Sequence, residues 1–564
     1  MAALALVGAA CTGGARPAPG PPSDAPSPDE MARRLGTDVV RSIVRGYFPE
    51  VSGQMVVVPK PWNVLGQWTG GLRGPEDPRT THASPWSYHA RVPIVLYGPG
   101  FVRSGVVSDR SVDVADLAPT FAELLGMPFD AREGQVLREA LVRRSRRAQQ
   151  PRAIVLVAYD GGGWNVLEQW PDAWPVERRL AAEGAVYTNA TIGSAPSVTA
   201  PVHANMGTGA YPFQHGLPEN TGRRPDGEIS ELFFHEADPR LLLEPTVADL
   251  WDRENGNRAW VGMVGFESWH LPMMGHGAQL PGADRDVALL WEREENRFWT
   301  NEEYYELPSY IPGPEVLRGH LDDLDASDGS RDGYWGGDGL DNTFFQPGTP
   351  AFVRYQWDAF RSMLENEPIG QDQVTDLAFL ELKSTDYGGH IWNMVAPQQE
   401  TILSAQDDVL GELVDLLDRR IGPGEYVLAV TADHGQTPVP TRHDAVRVDR
   451  YALEDDIDAY FGTAITVSAH PSELFLDLDA MEEAGITLDD VAGYVASYTY
   501  REGLPAETDL EGVPESVLDQ GVFAAALPGP YLRSLTDGEI DALGPGDWPE
   551  GDLTSPQGFE RLLG

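Results

Sequence analysis

The sequence of 564 residues has little cysteine, lysine or positive charge. Its one cysteine, Cys11, cannot form an internal disulfide, and a cysteine-rich zinc site is excluded. Lysine occurs only at Lys60 and Lys383, and 87 acidic against 41 basic residues give a formal net charge of -46. Because phosphate backbones are bound by clustered Lys and Arg, this charge argues against a nucleic-acid polymer as partner. The negative net charge is compatible with a small phosphorylated substrate if metal ions supply local positive charge.

Long hydrophobic runs are also missing, since no stretch beyond the N-terminus approaches the roughly 20 apolar residues of a membrane span. The first residues, MAALALVGAAC, form a short apolar run that ends in small residues at Cys11. A tether rich in Pro, Gly and Ser follows. This pattern predicts an exported protein, either secreted or held at the cell surface by a lipid on Cys11. The sequence leaves the oligomeric state undetermined.

Beyond the tether, apolar runs alternate with segments of helical periodicity. The runs RVPIVLY, AIVLVAY, DLAFLEL and YVLAVTA are apolar with little alternation, which is typical of parallel strands buried on both faces. The segment TILSAQDDVLGELVDLLDRRI has apolar residues three and four positions apart, which predicts a helix. The fold class is therefore α/β, with a central, mostly parallel sheet covered by helices on both faces and a smaller cap or insertion subdomain.

Polar residues follow these apolar runs, at the strand ends where open α/β sheets build their sites. They are Asp160, Asp386 with His390, and Asp433 with His434. A single Asp-His pair is usually a surface acid beside a histidine, and the Ser/Pro/Gly-rich stretch around Thr199 is by itself usually a loop. Several strand ends in succession that carry such residues indicate a functional site more strongly than a single pair does. Carboxylates and imidazoles without thiolates suit catalytic zinc or manganese, and two metals about 4 Å apart can clamp a phosphoryl transfer.

These motifs resemble those of the alkaline phosphatase superfamily, in the branch of nucleotide pyrophosphatase/phosphodiesterases and phosphate-irrepressible alkaline phosphatases. AYDGGG resembles the first metal-binding strand, SVTAPVHANMGTGAYPFQHGL the nucleophile segment, and DYGGH and ADHG the later metal motifs. The resemblance implies an alkaline-phosphatase-like sandwich with two divalent metal ions, zinc being the expected metal. The implied ligands are Asp160, Thr199, Asp433 and His434 for one metal, and Asp386, His390 and a third histidine for the other. Thr199 is also the implied nucleophile, and Asn220 the implied contact to a phosphoryl oxygen.

The third histidine departs from the order of the family. There it lies well after the ADHG-type segment, in a Thr-His-Gly-Ser-Pro context before a strand and an Ala-Pro-Thr helix. Neither His443 nor His470, which follow His434, has these flanks. The matching context is RTTHASPWSYHARVPIVLYGPG near the N-terminus, which places the third ligand at His82. The resemblance thus implies a circular permutation, with an error of sequence assembly as the alternative.

Four parts of the chain follow from these assignments. Residues 1–37 are a signal-like segment and tether, and 38–145 the permuted C-terminal part of the catalytic domain. Residues 151–440 are the main catalytic part, and 441–564 a cap-like α+β subdomain and tail. A long surface insertion or lid is expected at 280–350.

The expected activity is hydrolysis of a phosphodiester or nucleotide pyrophosphate through a phosphothreonine intermediate. Monoesterases of this branch grip the dianionic phosphate with a Lys and an Arg, but the matching region here, MVGFESWHLPMMGHG, has neither. His270 is a weak substitute for those cations. An alkaline phosphomonoesterase is the first alternative, and a non-catalytic, metal-binding surface lipoprotein is the second. A sulfatase would need a Cys or Ser nucleophile, and Cys11 is remote.

Overall fold

A computed structural model of the chain describes residue 22 and residues 25–66, 79–143, 149–233, 236–327, 329–443, 445–504 and 515–548. The predicted lipid attachment at Cys11 and most of the predicted signal-like segment and tether lie outside the described residues.

The strands of the described residues are, in chain order, β1 (Met55–Pro59), β2 (Val64–Gly66), β3 (Arg91–Tyr97), β4 (Val106–Ser108), β5 (Val112–Asp113), β6 (Ala153–Tyr159), β7 (Ala185–Thr191), β8 (Thr221–Arg223), β9 (Ile229–Glu231), β10 (Val261–Val264), β11 (Asp286–Glu292), β12 (Arg297–Trp299), β13 (Tyr305–Glu306), β14 (Tyr334–Trp335), β15 (Asp338–Gly339), β16 (Asp376–Leu382), β17 (Tyr426–Ala432), β18 (Arg447–Asp449), β19 (Thr466–Ala469), β20 (Glu473–Leu476) and β21 (Phe523–Pro528).

The α-helices of the same residues are α1 (Pro28–Leu35), α2 (Thr37–Gly46), α3 (Ser87–Ala90), α4 (Leu117–Leu125), α5 (Trp164–Gln169), α6 (Pro175–Glu183), α7 (Thr199–Thr208), α8 (Pro212–His215), α9 (Val247–Glu254), α10 (Pro314–Ser327), α11 (Pro350–Asn366), α12 (Ser384–Trp392), α13 (Pro397–Arg420), α14 (Arg450–Phe461), α15 (Leu478–Ala484), α16 (Leu488–Ser497), α17 (Tyr500–Gly503), α18 (Glu515–Leu518), α19 (Gly529–Ser534) and α20 (Asp537–Asp541).

The larger sheet has the strand order β12-β11-β10-β16-β6-β17-β3-β7-β4. The five strands from β11 to β17 run parallel to one another, whereas β3 runs antiparallel to both of its neighbours, β17 and β7. The predicted central, mostly parallel sheet is therefore confirmed. The insertion expected at 280–350 is not entirely a surface feature, because its apolar run DVALLWE forms β11 and extends this sheet.

The central strand β6 shows why its sequence lacks alternation. Val155 and Val157 pack into a hydrophobic layer with α5, α6, α11 and α13, while Ile154 and Leu156 pack into a second layer with α4, α7 and α9. Successive side chains of a strand point to opposite faces, so a strand covered on both sides needs an apolar residue at every position. Helices thus cover both faces of the sheet, as expected.

The smaller sheet joins distant parts of the chain. Its order is β19-β20-β1-β21, so β1 lies between strands that follow it by more than 400 residues. The sheet packs with α1, α2, α14 and α16 in a separate hydrophobic core. The segment predicted as 38–145 is therefore divided, because β1 belongs to this smaller sheet and β3 to the larger one. At the edge of the subdomain, Thr37 N–H donates to Gly544 O at 2.9 Å.

Helix α6 carries a buried acid that tests the energetics of the core. Glu177 is 1% exposed, and neither of its carboxylate oxygens has a hydrogen-bond partner among the described residues. Burial, and then the charge of Asp407, raises the pKa of Glu177 to about 8. The folded state therefore binds this proton more tightly than the unfolded state does. As a result, the free energy of unfolding is highest below the pKa of the unfolded carboxyl and falls as the pH rises through about 8.

We expect Glu177→Gln to raise the free energy of unfolding at pH 9 by about 2–4 kcal/mol relative to the wild-type protein, because the variant buries no charge at this position. Denaturant unfolding at pH 6 and pH 9 measures this, and the gain should shrink at pH 6. Glu183→Gln, an exposed position on the same helix, is the matched control. An equal pH dependence in wild type and Glu177→Gln would contradict the prediction.

Candidate metal centre

Three adjacent parallel strands deliver the acidic residues of the site to one edge of the larger sheet. Asp160 directly follows β6, Asp433 directly follows β17, and Asp386 lies in the first turn of α12 after β16. Gly161 permits the tight turn after β6, because its φ of +69° is unfavourable for other residues and a Cβ there would lie 2.9 Å from the Cα of Asp386. Its N–H donates to Asp433 Oδ1 at 2.9 Å.

Asp160, Asp433 and His434 form a first ligand group. His434 Nε2 lies 3.4 Å from both Asp160 Oδ1 and Asp433 Oδ2, and all three side chains are fully buried. Within the described residues these three atoms have no hydrogen-bond partner. Buried polar atoms are normally hydrogen-bonded, so three orphaned ligand atoms that face one another fit a divalent metal ion.

Asp386, His390 and His82 form a second ligand group. Asp386 Oδ1 lies 3.2 Å from His390 Nε2 and 3.5 Å from His82 Nε2. Asp386 and His390 are four residues apart on α12 and so share one face of the helix. Each histidine has its Nδ1 at 2.6 Å from a backbone carbonyl, of Thr80 for His390 and of Ser197 for His82. Because a carbonyl only accepts, Nδ1 carries the proton, and Nε2 has the lone pair that a metal ion would need.

The two ligand groups adjoin. The rings of His82 and His434 are stacked with centroids 3.7 Å apart, and those of His82 and His390 are 5.2 Å apart. His82 comes from the loop before α3, near the N-terminus, yet the structure brings it among residues more than 300 positions later in the chain. The assignment of His82 from its sequence context is therefore consistent with its position.

The predicted nucleophile and its neighbour lie at the start of α7. Thr199 is the first residue of this helix and is buried. Its carbonyl accepts a hydrogen bond from His203 Nδ1 at 2.9 Å, and that nitrogen is 3.8 Å from Asp433 Oδ2. Asn220 Oδ1 accepts from the N–H of Ala200 at 2.8 Å. This bond fixes the side-chain amide beside the helix start and leaves its NH2 group as a donor.

Two buried basic residues, Lys383 and His270, contact the acids of the site, and of these Lys383 was not recognised from the sequence. Lys383 Nζ lies 2.7 Å from Asp160 Oδ2 and 2.8 Å from Asp386 Oδ2. His270 Nε2 lies 3.0 Å from Asp160 Oδ2, so His270 contacts a metal ligand rather than standing in for a phosphate-gripping cation. The signal for Lys383 was its rarity, since one of two lysines ends the apolar run LAFLEL three residues before Asp386.

The pKa values of the three carboxyl groups at the site shift in different directions. Burial is the largest effect on the pKa of Asp160 and raises it, but the charges of Lys383 and His434 and the hydrogen bond with His270 together outweigh burial and hold this pKa below the ordinary value. At Asp386, His390 and Lys383 together outweigh burial and hold the pKa well below that value. Burial and the nearby Asp160 raise the pKa of Asp433 well above it. A divalent metal ion in the first ligand group would favour the ionised form of Asp433 and so oppose this rise.

Among the described residues, no helix combines the length and apolar character needed to cross a membrane.

Comparison with known proteins agrees with this geometry. A family model described as type I phosphodiesterase / nucleotide pyrophosphatase matches residues 154–515, more than half of the chain. The chain is 24% identical over 438 residues to a calcium-transporting ATPase of Myroides odoratus, covering 67% of this chain and 78% of that protein. It is 21% identical over 416 residues to the alkaline phosphatase PafA of Elizabethkingia meningoseptica, covering 64% and 75%. It is 23% identical over 442 residues to the alkaline phosphatase PhoV of Synechococcus elongatus, covering 69% and 78%.

The fold is also similar to a solved one. The crystal structure of wild-type alkaline phosphatase PafA matches with a TM-score of 0.50 at 18% identity, covering 67% of this chain and 84% of PafA. At this identity the likeness concerns the fold alone. The family match establishes that the chain belongs to the type I phosphodiesterase / nucleotide pyrophosphatase family, whose members are phosphoric ester hydrolases of the alkaline phosphatase superfamily.

Proposed function

We propose that the protein is a two-metal phosphoesterase that uses Thr199 as its nucleophile and hydrolyses phosphodiesters or nucleotide pyrophosphates. The observation that carries the proposal is the first ligand group, whose orphaned atoms Asp160 Oδ1, Asp433 Oδ2 and His434 Nε2 face one another in a buried site. The second ligand group adjoins it through His82. The donor set of carboxylates and imidazoles, without thiolates, supports zinc as the metal.

The mechanism follows from the position of Thr199. Divalent ions held by the two ligand groups supply the positive charge that lowers the pKa of a nearby hydroxyl and neutralises phosphoryl oxygens. Thr199 is the first residue of α7, where the helix dipole favours negative charge. Its hydroxyl gives up its proton to solvent and the oxygen attacks phosphorus in line; the bond to the ester oxygen breaks, that oxygen takes up a proton, and phosphothreonine forms. Water then attacks phosphorus from the side of the departed group and loses a proton, the bond between phosphorus and the Thr199 oxygen breaks, and Thr199 regains its proton, while the Asn220 NH2 group donates to a phosphoryl oxygen.

The charges of the site support a diester over a monoester. Lys383 and His270 are each already bound to Asp160, so neither offers a free cation to a dianionic phosphate. A monoanionic diester needs less compensating charge than a dianion does. A phosphomonoester remains the second candidate, because the relatives PafA and PhoV are alkaline phosphatases by name.

We expect the zinc-loaded protein to hydrolyse bis(p-nitrophenyl) phosphate with a kcat/KM at least about tenfold above that for p-nitrophenyl phosphate, a difference of about 1.4 kcal/mol in transition-state stabilisation. Release of nitrophenolate measures both rates, and the chelator-treated protein is the control. A preference for the monoester would reverse the order of the two candidates. Two bound zinc ions without turnover of either ester would support the non-catalytic metal-binding alternative.

We also propose that the permuted order is genuine. The family match begins at residue 154, and the segment before it supplies β3 and His82. Strand β3 lies between β17 and β7 and pairs with both, with a register shift between Val92 and Ile94 on the β7 side, and His82 lies in the second ligand group. The segment before residue 154 is thus part of the same sheet and the same site as the matched residues. Export, with or without a lipid on Cys11, remains a prediction.

A further inference from the structure

Lys383 occupies an unusual place for a lysine. Its side chain is 4% exposed, and its Nζ lies between the acidic residues of the two ligand groups, at 2.7 Å from Asp160 Oδ2 and 2.8 Å from Asp386 Oδ2. A buried ammonium group is costly unless it is paired, and here it has two carboxylate partners. The backbone holds it there, because Lys383 directly follows β16 and its N–H donates to Gln356 Oε1.

The choice of oxygen atoms is the informative feature. Lys383 contacts Oδ2 of both carboxylates, and His270 also contacts Oδ2 of Asp160. The histidines of the ligand groups face the opposite oxygens: His434 is nearest Oδ1 of Asp160, and His390 and His82 are nearest Oδ1 of Asp386. Each carboxylate therefore has its Oδ2 on Lys383 and its Oδ1 turned toward the histidines of a ligand group, and Asp386 Oδ1 also accepts from Gln436 Nε2 at 3.1 Å.

We propose that Lys383 is a positioning residue that occupies one oxygen of Asp160 and one of Asp386, so that each presents a single oxygen to its metal ion and the two ligand groups are mechanically linked. The inference rests on the proposed two-metal function. Without the lysine, Asp160 Oδ2 keeps its contact with His270, and Asp386 is held at Oδ1, where Gln436 Nε2 donates at 3.1 Å. Each carboxylate is then less constrained and can bind its metal through both oxygens, which adds donors and weakens the positive charge felt by the nucleophile.

The scarcity of lysine makes the inference testable in the wild-type protein. Incorporation of 13C-labelled lysine gives NMR signals from Lys60 and Lys383 only. Lys60 directly follows β1 of the smaller sheet, so it is an internal control. When metal-free protein is titrated with zinc, the Lys383 signals are expected to change in two steps that end at two equivalents, while those of Lys60 stay in place. Two zinc ions bound with unmoved Lys383 signals would overturn the inference.

A variant pair separates positioning from packing. In Lys383→Met protein loaded with cobalt(II), we expect the visible absorbance per bound ion to fall at least twofold, because freed carboxylate oxygens raise the coordination number. Lys383→Arg, which keeps a cation able to bridge both acids, is expected to restore most of the absorbance, and Lys60→Met to leave it unchanged. A wild-type spectrum in Lys383→Met would overturn the inference. If that variant does not fold, the NMR titration of the wild-type protein decides.

The two proposals fail in different ways. Metal content measured by mass spectrometry in the same samples reports whether two ions bind at all. Absence of bound metal contradicts the two-metal function, whereas two bound ions with no response of Lys383 contradict only the role of Lys383.

Discussion

Replacing Thr199 with alanine is expected to abolish phosphoester hydrolysis while leaving both metal ions in place. The substitution removes the oxygen that would attack phosphorus, and removal of a nucleophile costs about 10³-fold or more in kcat. Metal binding should persist, because the buried carboxylates and imidazoles of the two ligand groups remain. The first residue of α7 stays compatible with the helix, since alanine has high helix propensity. The measurements are kcat with the better nitrophenyl ester and metal content per chain.

Two variants of the same helix control this experiment. Thr199→Ser keeps the hydroxyl and is expected to retain measurable turnover. Thr208→Ala removes a buried hydroxyl at the other end of α7, where Oγ1 donates to Ala204 O at 2.6 Å, and should change stability more than kcat. Near-normal rates in Thr199→Ala would refute the assignment of the nucleophile.

Replacing His82 with alanine is expected to lower the metal content from two ions per chain to one. The second ligand group then keeps only Asp386 and His390, and loss of one of three protein ligands leaves a weak site. With one metal missing, half of the charge that stabilises the transition state is lost, so kcat should fall by about 10²–10³-fold. Metal analysis after dialysis and kcat at saturating zinc measure the two effects.

This variant also tests the permuted order, because His82 precedes every other proposed ligand in the chain. His320→Ala is the matched control: His320 lies on α10 and pairs with Asp358 away from both ligand groups. Two ions per chain and wild-type kcat in His82→Ala would show that the N-terminal segment does not complete the site.

The strand ends of the site were predictable because each carries two signals at once. A fully apolar run marks a strand buried on both faces, and the polar residues that directly follow it, as at Asp160 and Asp433, mark the edge where parallel strands end. Lys383 carries no such signal. A charged residue at the end of a buried strand is ordinary, and only the structure shows that its Nζ turns inward between two acids.

The division of the N-terminal segment between two sheets was not predictable for a related reason. The apolar runs MVVVP of β1 and RVPIVLY of β3 are alike in composition, so neither indicates which sheet it joins. Strand partners are chosen by tertiary packing, which acts between residues far apart in the chain. The partners of β1 are β20 and β21, and nothing near β1 in the sequence points to them.

The position of β1 also constrains when the protein can fold. Val56 pairs with Leu527, so the smaller sheet cannot be completed until the ribosome has added more than 450 further residues. At about 5–20 residues per second, this takes roughly half a minute or more. During that interval β1 has neither of its partners, whereas β3 can pair early with β7 and gains β17 only later. The smaller sheet therefore forms only after synthesis is nearly complete, and such long-range pairing makes slow folding and exposure to aggregation intrinsic to this chain order.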